Sequence, residues 1–138
     1  MSKEITEEHK QMAHEALRKA PFPQLLGLEL VDLKFGEARL KLKMRDDLRQ
    51  PYGLLHGGAT ATLIDTATAF AVVSAQREDE QSTTVDLTVH YLRPHTTGEI
   101  VCTARIVRAG RRISTVSAEV VNEEGKLIAT ALSTYMKV

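Results

Sequence analysis

A histidine and two glycines, His56, Gly57 and Gly58, stand directly before the most apolar stretch of the chain, and one carboxylate, Asp65, lies inside that stretch. If the stretch is a helix, the glycines occupy its first turn, where backbone N–H groups have no helical partner. The helix dipole adds partial positive charge there, and glycine lets a ligand approach the backbone closely. Such amides suit an oxyanion hole. The alternative is a tight loop-to-helix turn that His56 merely caps.

Asp65 is the second group with chemical potential, because Asp is a poor helix former and is costly to bury alone. Its neighbours one turn away are small, Ala61, Thr62, Thr68 and Ala69, and leave room for a ligand or another backbone. The carboxylate could act as a nucleophile or a general base. It could equally be a structural residue whose oxygens accept hydrogen bonds from nearby threonine hydroxyls or a backbone amide.

The spacing of these two groups limits how they can act together. Seven or eight residues separate the glycines from Asp65, which is about 10–12 Å along a helix. An oxyanion donor and a nucleophile or base must each lie about 3 Å from one reacting centre. One helix therefore cannot supply both, whereas two antiparallel copies related by a two-fold axis can place Gly57 of one chain beside Asp65 of the other.

Hydrophobic periodicity predicts the elements that position these residues. Residues 4–19 are expected to form an amphipathic helix that Pro21 and Pro23 end, and the long apolar helix is expected over about 57–76. The strands are expected at "LGLELVDL", "EARLKLKMR", "STTVDLTVHYL", "EIVCTARIVRAG", "RRISTVSAEVVNE" and "GKLIATALSTYMKV", with turns at "KFGE", "RAGRR" and "NEEGK". Two strands precede the long helix, and three or four follow it. This order predicts an α+β fold with a mainly antiparallel sheet.

The long helix is apolar on nearly every face, so it must be covered on most sides. A strongly curved antiparallel sheet wrapped around it would provide that cover. The edge strand of such a sheet stays open, and pairing with a second copy closes it. A homodimer is therefore expected.

Composition excludes several classes of protein. The chain has 138 residues, enough for one domain, with 18 basic and 18 acidic side chains, so no global field attracts nucleic acid or an anionic membrane. Cys102 is the one cysteine and follows the apolar alternation of a strand, which predicts a small buried side chain. The opening residues are charged, and the apolar run 59–75 is slightly short for a membrane span. We expect a cytoplasmic protein without a membrane or nucleic-acid partner.

The segment "HGGATATLIDTATA" resembles the hotdog-fold thioesterases of the PaaI-like, phenylacetate-pathway type. The later "TTVDLTVHYLRP" and the "GRR" hairpin are also similar, and the resemblance covers residues 23–138. It implies one hotdog domain over 1–138, with 1–22 as an N-terminal helical segment and a curved antiparallel sheet wrapped around a long central helix. It also implies hydrolysis of acyl-CoA at a site shared by two subunits of a homodimer, or of a homotetramer built as a dimer of dimers.

The same resemblance implies roles for individual residues. Asp65 would attack the thioester or activate water, and the Gly57 N–H of the partner subunit would polarise the carbonyl. His56 would orient the loop and contact the same oxygen. Thr84 stands where relatives carry Ser or Thr to hold the water, although it is also an ordinary strand threonine. Gln50 stands where relatives commonly carry Asn, and its side chain is longer by one methylene.

Substrate contacts follow from the resemblance too. Gly58 would border the acyl group, and the hairpin with Arg108, Gly110, Arg111 and Arg112 would border the CoA nucleotide, since guanidinium groups suit phosphate. A solvated turn is the competing interpretation of this hairpin. No metal or redox cofactor is implied, because CoA is part of the substrate.

Two other functions are compatible with the same fold. One is a non-catalytic acyl-CoA-binding or sensing protein, against which the presence of Asp65 argues. The other is a hydratase, which usually pairs Asp with a nearby His in a different motif. The sequence does not determine the acyl group, although only three Phe and three Tyr offer no obvious aromatic stacking pocket.

Overall fold

The expected order of elements is confirmed in a computed structural model that describes residues 4–138. The elements are α1 (Glu7–Lys19), α2 (Pro21–Leu26), β1 (Glu29–Lys34), β2 (Glu37–Lys43), a 3-10 turn (Asp46–Leu48), α3 (Gly57–Ser74), β3 (Ser82–Tyr91), β4 (Glu99–Ala109), β5 (Ile113–Asn122) and β6 (Leu127–Lys137). Four strands therefore follow the long helix.

The N-terminal region differs from the expectation in one respect. Pro21 and Pro23 were expected only to end a helix, but Pro21 begins the second helix, α2. Proline is well suited to the first helical position, because its missing N–H would have no partner there. Gly27 then ends α2 in the left-handed conformation, with φ of 73°.

All six strands form one antiparallel sheet in the order β1-β2-β4-β5-β6-β3. At one edge, β1 carries a register shift between Leu30 and Asp32, and the Lys10 ammonium on α1 lies 3.1 Å from the Asp32 carboxylate. The other edge is the ten-residue strand β3. Val85 and Tyr91 on β3 are 56% and 54% exposed, so within the described chain this edge has neither a pairing strand nor a covering helix.

The core lies between the sheet and α3. The helix buries one face completely, including Leu63, Ile64, Ala67 and Ala71, against sheet residues such as Leu40 and Val116. A second face is only half-buried or exposed, and it runs along the helix as Gly58, Ala61, Thr62, Asp65, Ala69 and Val73. The chain's own sheet therefore covers α3 on one side and leaves the face that carries Asp65 open.

Two further expectations concern single features. Cys102 is fully buried, and burial raises the pKa of its thiol to about 12. Within residues 4–138, no helix combines the length and the hydropathy that crossing a bilayer requires.

Candidate active site

The Asp65 carboxylate is held by two hydroxyl groups that both bind the same oxygen. Thr84 Oγ1 donates to Asp65 Oδ1 at 2.9 Å, and the Tyr135 hydroxyl donates to Oδ1 at 3.1 Å. In the part of the chain that the structure describes, Oδ2 has no hydrogen-bond partner. One oxygen is thus anchored to the sheet, and the other is available to a ligand on the half-open face of α3.

Tyr135 was not found by sequence reasoning, because β6 read as an ordinary strand. The main-chain oxygen of Asp65 lies 2.8 Å from the Tyr135 hydroxyl, so the single O–H proton is shared between that oxygen and Oδ1. The hydroxyl also lies 2.8 Å from Thr68 Oγ1. The side chain is 3% exposed. Burial raises the pKa of Tyr135 to about 12, and the negative charge of the nearby Asp65 carboxylate acts in the same direction. The phenol is therefore protonated at neutral pH and can donate.

The start of α3 is organised by His56, which is the N-cap residue. Its Nδ1 accepts a hydrogen bond from the Gly58 N–H at 2.8 Å. A nitrogen that accepts carries no proton, so the neutral imidazole holds its proton on Nε2. The Gly58 N–H is therefore occupied, whereas the Gly57 N–H has no hydrogen-bond partner among residues 4–138. The Gly57 amide and the His56 Nε2–H are the donors left at this end of the helix.

Tyr91 packs against Gly57 and closes one side of this helix start. Its hydroxyl donates to the Gly57 main-chain oxygen at 2.9 Å, and its ring would lie 3.3 Å from a Cβ at position 57. Gly57, Tyr91 and Gln50 line one groove of about 350 Å³. A bulkier residue at 57 would push into this groove.

Gln50 organises its own loop. Its side-chain oxygen accepts from the main-chain N–H of Tyr52 at 2.5 Å and of Leu54 at 3.3 Å. Its main-chain N–H donates to Leu54 at 2.8 Å. The longer side chain thus folds back onto the loop that precedes the helix, and Gln50 lines the same groove as Gly57.

The site residues fall into two groups in the single chain. The first, at the start of α3, contains Gln50, His56, Gly57 and Gly58. The second surrounds Asp65 and contains Thr84 and Tyr135. Since α3 is continuous from Gly57 to Ser74, the two groups are about 10–12 Å apart along its axis. One chain does not bring the Gly57 amide and the Asp65 carboxylate to one point.

The β4–β5 hairpin carries the arginines expected to bind CoA. Arg108, Arg111 and Arg112 are exposed, and none forms an ion pair among residues 4–138. Gly110 is needed by the turn itself, because a Cβ there would lie 2.6 Å from the main-chain oxygen of Ile113.

Strand register relates this hairpin to the carboxylate. Ser114, just after the turn, pairs with Tyr135, and Tyr135 pairs with Thr84. The hairpin therefore lies at the same end of the sheet as the hydroxyls that hold Asp65, about 10 Å away across two strand spacings.

An antiparallel sheet packed on one long helix is the fold of the hotdog class of thioesterases. The thioesterase superfamily profile matches residues 52–129. The chain belongs to this superfamily and is a thioester hydrolase.

Its relatives agree with this assignment. It is 33% identical over 111 residues to human acyl-coenzyme A thioesterase 13, covering 78% of this chain and 79% of the relative. It is 32% identical over 131 residues to the medium/long-chain acyl-CoA thioesterase YigI of Escherichia coli, covering 84% of both chains.

Solved structures show the same fold. The conserved protein PA5202 from Pseudomonas aeruginosa superposes with a TM-score of 0.86 at 36% identity, over 91% of this chain and 99% of that one. The E. coli PaaI protein from the phenylacetic acid degradation operon superposes with a TM-score of 0.89 at 22% identity, over 97% and 96%. These matches confirm the predicted hotdog fold.

Proposed function

We propose that this protein hydrolyses an acyl-CoA or aryl-CoA thioester to the free acid and CoA, with Asp65 as the reacting carboxylate. The observation that carries the proposal is the asymmetric environment of Asp65, in which Oδ1 accepts two hydroxyl hydrogen bonds and Oδ2 accepts none from the described chain. Oδ2 either attacks the thioester carbonyl or removes a proton from an attacking water. In the first route the acyl group passes to Asp65 as a mixed anhydride, CoA leaves as the thiolate and takes up a proton, and a water then hydrolyses the anhydride to the acid and restores Asp65. In the second route the water adds to the carbonyl, the C–S bond breaks, and the proton removed by Asp65 passes to the departing CoA thiolate.

The second part of the proposal is that each site uses two subunits. The Gly57 amide is too far from Asp65 of its own chain to share a reacting centre with it. A homodimer formed through the open edge of β3 would lay the half-open faces of two α3 helices against each other. With the helices antiparallel, Gly57 of one subunit stabilises the oxyanion formed beside Asp65 of the other. A further dimer-of-dimers contact is compatible with this arrangement.

The test of the function is turnover of a panel of acyl-CoA thioesters, followed by release of free thiol. The panel should contain acetyl-, octanoyl-, palmitoyl- and phenylacetyl-CoA, since the relatives include a medium/long-chain enzyme and a phenylacetate-operon protein. Cys102 is fully buried, so the folded protein should add little to a thiol signal. We expect at least one thioester to be turned over. Binding without release of thiol from any of them would favour the non-catalytic acyl-CoA binder.

The hairpin arginines provide a separate prediction about substrate binding. Replacing Arg111 and Arg112 together by Ala should raise KM for acyl-CoA about tenfold at low salt and leave kcat within about twofold, because the CoA phosphates are remote from the reacting bond. The increase in KM should shrink at high salt, since exposed charges are screened.

A matched control separates local binding from total charge. Arg18 on α1 and Arg39 on β2 lie away from the hairpin, and replacing both by Ala removes the same net charge. In steady-state kinetics, the hairpin double variant should have a higher KM than the wild type, and the control double variant should have the KM of the wild type. If both pairs change KM equally, or neither does at low salt, the nucleotide binds elsewhere.

A further inference from the structure

We propose that Tyr135 is a positioning residue for the proposed reaction. Its hydroxyl and that of Thr84 hold Oδ1 of Asp65 from the sheet, so that only Oδ2 is presented to the substrate. The inference rests on the proposed function, since it assigns Tyr135 a role through Asp65. Tyr135 does not act on the substrate itself.

The two hydroxyls reach one oxygen because of strand register. Thr84 on β3 and Tyr135 on β6 are directly paired across the antiparallel ladder. Side chains of directly opposite residues project from the same face of a sheet. Both therefore point toward α3, and both approach Asp65 from the sheet side.

A bulge in β3 is what turns Thr84 inward. Leu87 and Val89 pack against the core, so strict alternation along the strand would point Val85 inward and Thr84 outward. The register shifts between Thr84 and Asp86 instead, and Val85 is exposed. A bulge of one residue reverses the alternation and redirects side chains, a feature common next to active sites. The irregular pairing thus directs Thr84, the second hydroxyl donor, toward Asp65.

Tyr135 is placed to fix the orientation of the carboxylate. One hydroxyl contacts both the main-chain oxygen of Asp65, at 2.8 Å, and Oδ1, at 3.1 Å. Thr68, one turn further along α3, holds the same hydroxyl at 2.8 Å. Because a single group bridges the backbone and the side chain of Asp65, rotation of the carboxylate would break a buried contact. The tyrosine is itself buried and lies on the Oδ1 side, away from the free oxygen.

The first test is Tyr135→Phe, which removes the hydroxyl and keeps the ring. With the best thioester of the panel, we expect kcat to fall about tenfold and KM to stay within about twofold, since orientation at the reacting centre affects the chemical step. The matched control is Ser74→Ala. Ser74 is a buried hydroxyl at the other end of α3 that accepts from the Gly36 N–H at 2.8 Å and donates to Ala71 at 2.7 Å. The control should lower Tm and leave kcat per folded protein unchanged.

A folded Tyr135→Phe protein with wild-type kcat would overturn the proposal, whatever its Tm. If Tyr135→Phe does not fold, Thr68→Val tests the proposal instead. Valine has nearly the shape of threonine, so this variant keeps the packing and removes the contact between Thr68 Oγ1 and the Tyr135 hydroxyl. We expect a fall in kcat of about threefold for Thr68→Val. An unchanged kcat in the folded Thr68→Val protein overturns the proposal equally.

A double-variant cycle tests whether Tyr135 acts through Asp65. In an Asp65→Asn background, Tyr135→Phe should not lower the residual rate any further, because there is no carboxylate left to orient. The same fractional loss in both backgrounds would show an independent effect and contradict the proposal. Failure of the proposed function is distinguishable, since it would appear as full activity of Asp65→Asn or as no turnover by the wild type.

Discussion

Asp65→Asn should fold like the wild type and lose about 10²–10⁴-fold in kcat. The amide has nearly the shape of the carboxylate, and its oxygen can still accept from Thr84 and Tyr135, which donate at 2.9 and 3.1 Å to Oδ1. It is neither a base nor a good nucleophile, so the chemical step fails while the site stays intact. The measurement is single-substrate kinetics with the best thioester, together with a thermal melt and circular dichroism.

The matched control for this prediction is Asp79→Asn. Asp79 is an exposed aspartate in the turn after α3, so the variant makes the same charge change without touching Asp65 or the β3 edge through which the subunits are proposed to pair. Its kcat should remain near that of the wild type. A stable Asp65→Asn protein with near wild-type turnover would show that Asp65 is only a satisfied polar residue.

A mixture of two inactive variants should recover activity if each site uses two chains. One variant is Asp65→Asn, and the other lacks the amide donor at Gly57. In a heterodimer, one site collects both defects, and the other combines an intact Gly57 from one chain with an intact Asp65 from the partner. Random exchange gives about half heterodimers, so about a quarter of all sites should work.

Gly57→Pro is a suitable donor-deleting variant. Gly57 is the first residue of α3 and follows an N-cap with φ of −61° and ψ of 132°. Proline fits the first helical position, and the extended conformation of the preceding residue is the one that proline requires. Gly57→Val, which crowds the groove against Tyr91, is a second choice.

Gly57→Ala is the matched control, because it adds a Cβ 3.3 Å from the Tyr91 ring and keeps the N–H. It should retain far more activity than Gly57→Pro, since only the proline removes the N–H that is proposed to stabilise the oxyanion.

Subunit exchange must be demonstrated first, for example by native mass spectrometry, which also gives the oligomeric state. Recovered activity should then follow the fraction of heterodimers as the mixing ratio is varied. If proven heterodimers of folded variants stay inactive, the two-chain site is wrong. A protein that remains monomeric at catalytic concentrations and is nevertheless active would contradict it as well.

Local signals in the sequence were sufficient for most of the fold. Alternation with a period of two predicted the strands, and glycine at "KFGE" and "NEEGK" predicted turns that the structure makes with Gly36 and Gly125 at φ of 75° and 79°. The exception was Pro21, where one residue type is compatible with both the end of one helix and the start of the next. The ambiguity is physical, because proline forbids only the helix interior.

The sequence also predicted the main elements of the candidate site. A histidine and two glycines before an apolar helix, with Asp65 two turns inside it, identified the helix start and the carboxylate. Their separation follows from helical rise alone. These features depend on residues close together in the chain, so periodicity and helix-capping chemistry are enough to read them.

Only the tertiary structure decided which groups hold these residues. Tyr135 lies 70 positions from Asp65, and it meets the carboxylate because β6 pairs with β3 in one particular register. Thr84 faces the helix because a bulge interrupts the inward–outward alternation of side chains that Leu87 and Val89 follow along β3. The Gly58 N–H has a hydrogen-bond partner because the His56 ring turns back and accepts from it. Each outcome depends on pairing or rotamer choice, which is set by the packed whole, since competing registers and rotamers satisfy the same local pattern.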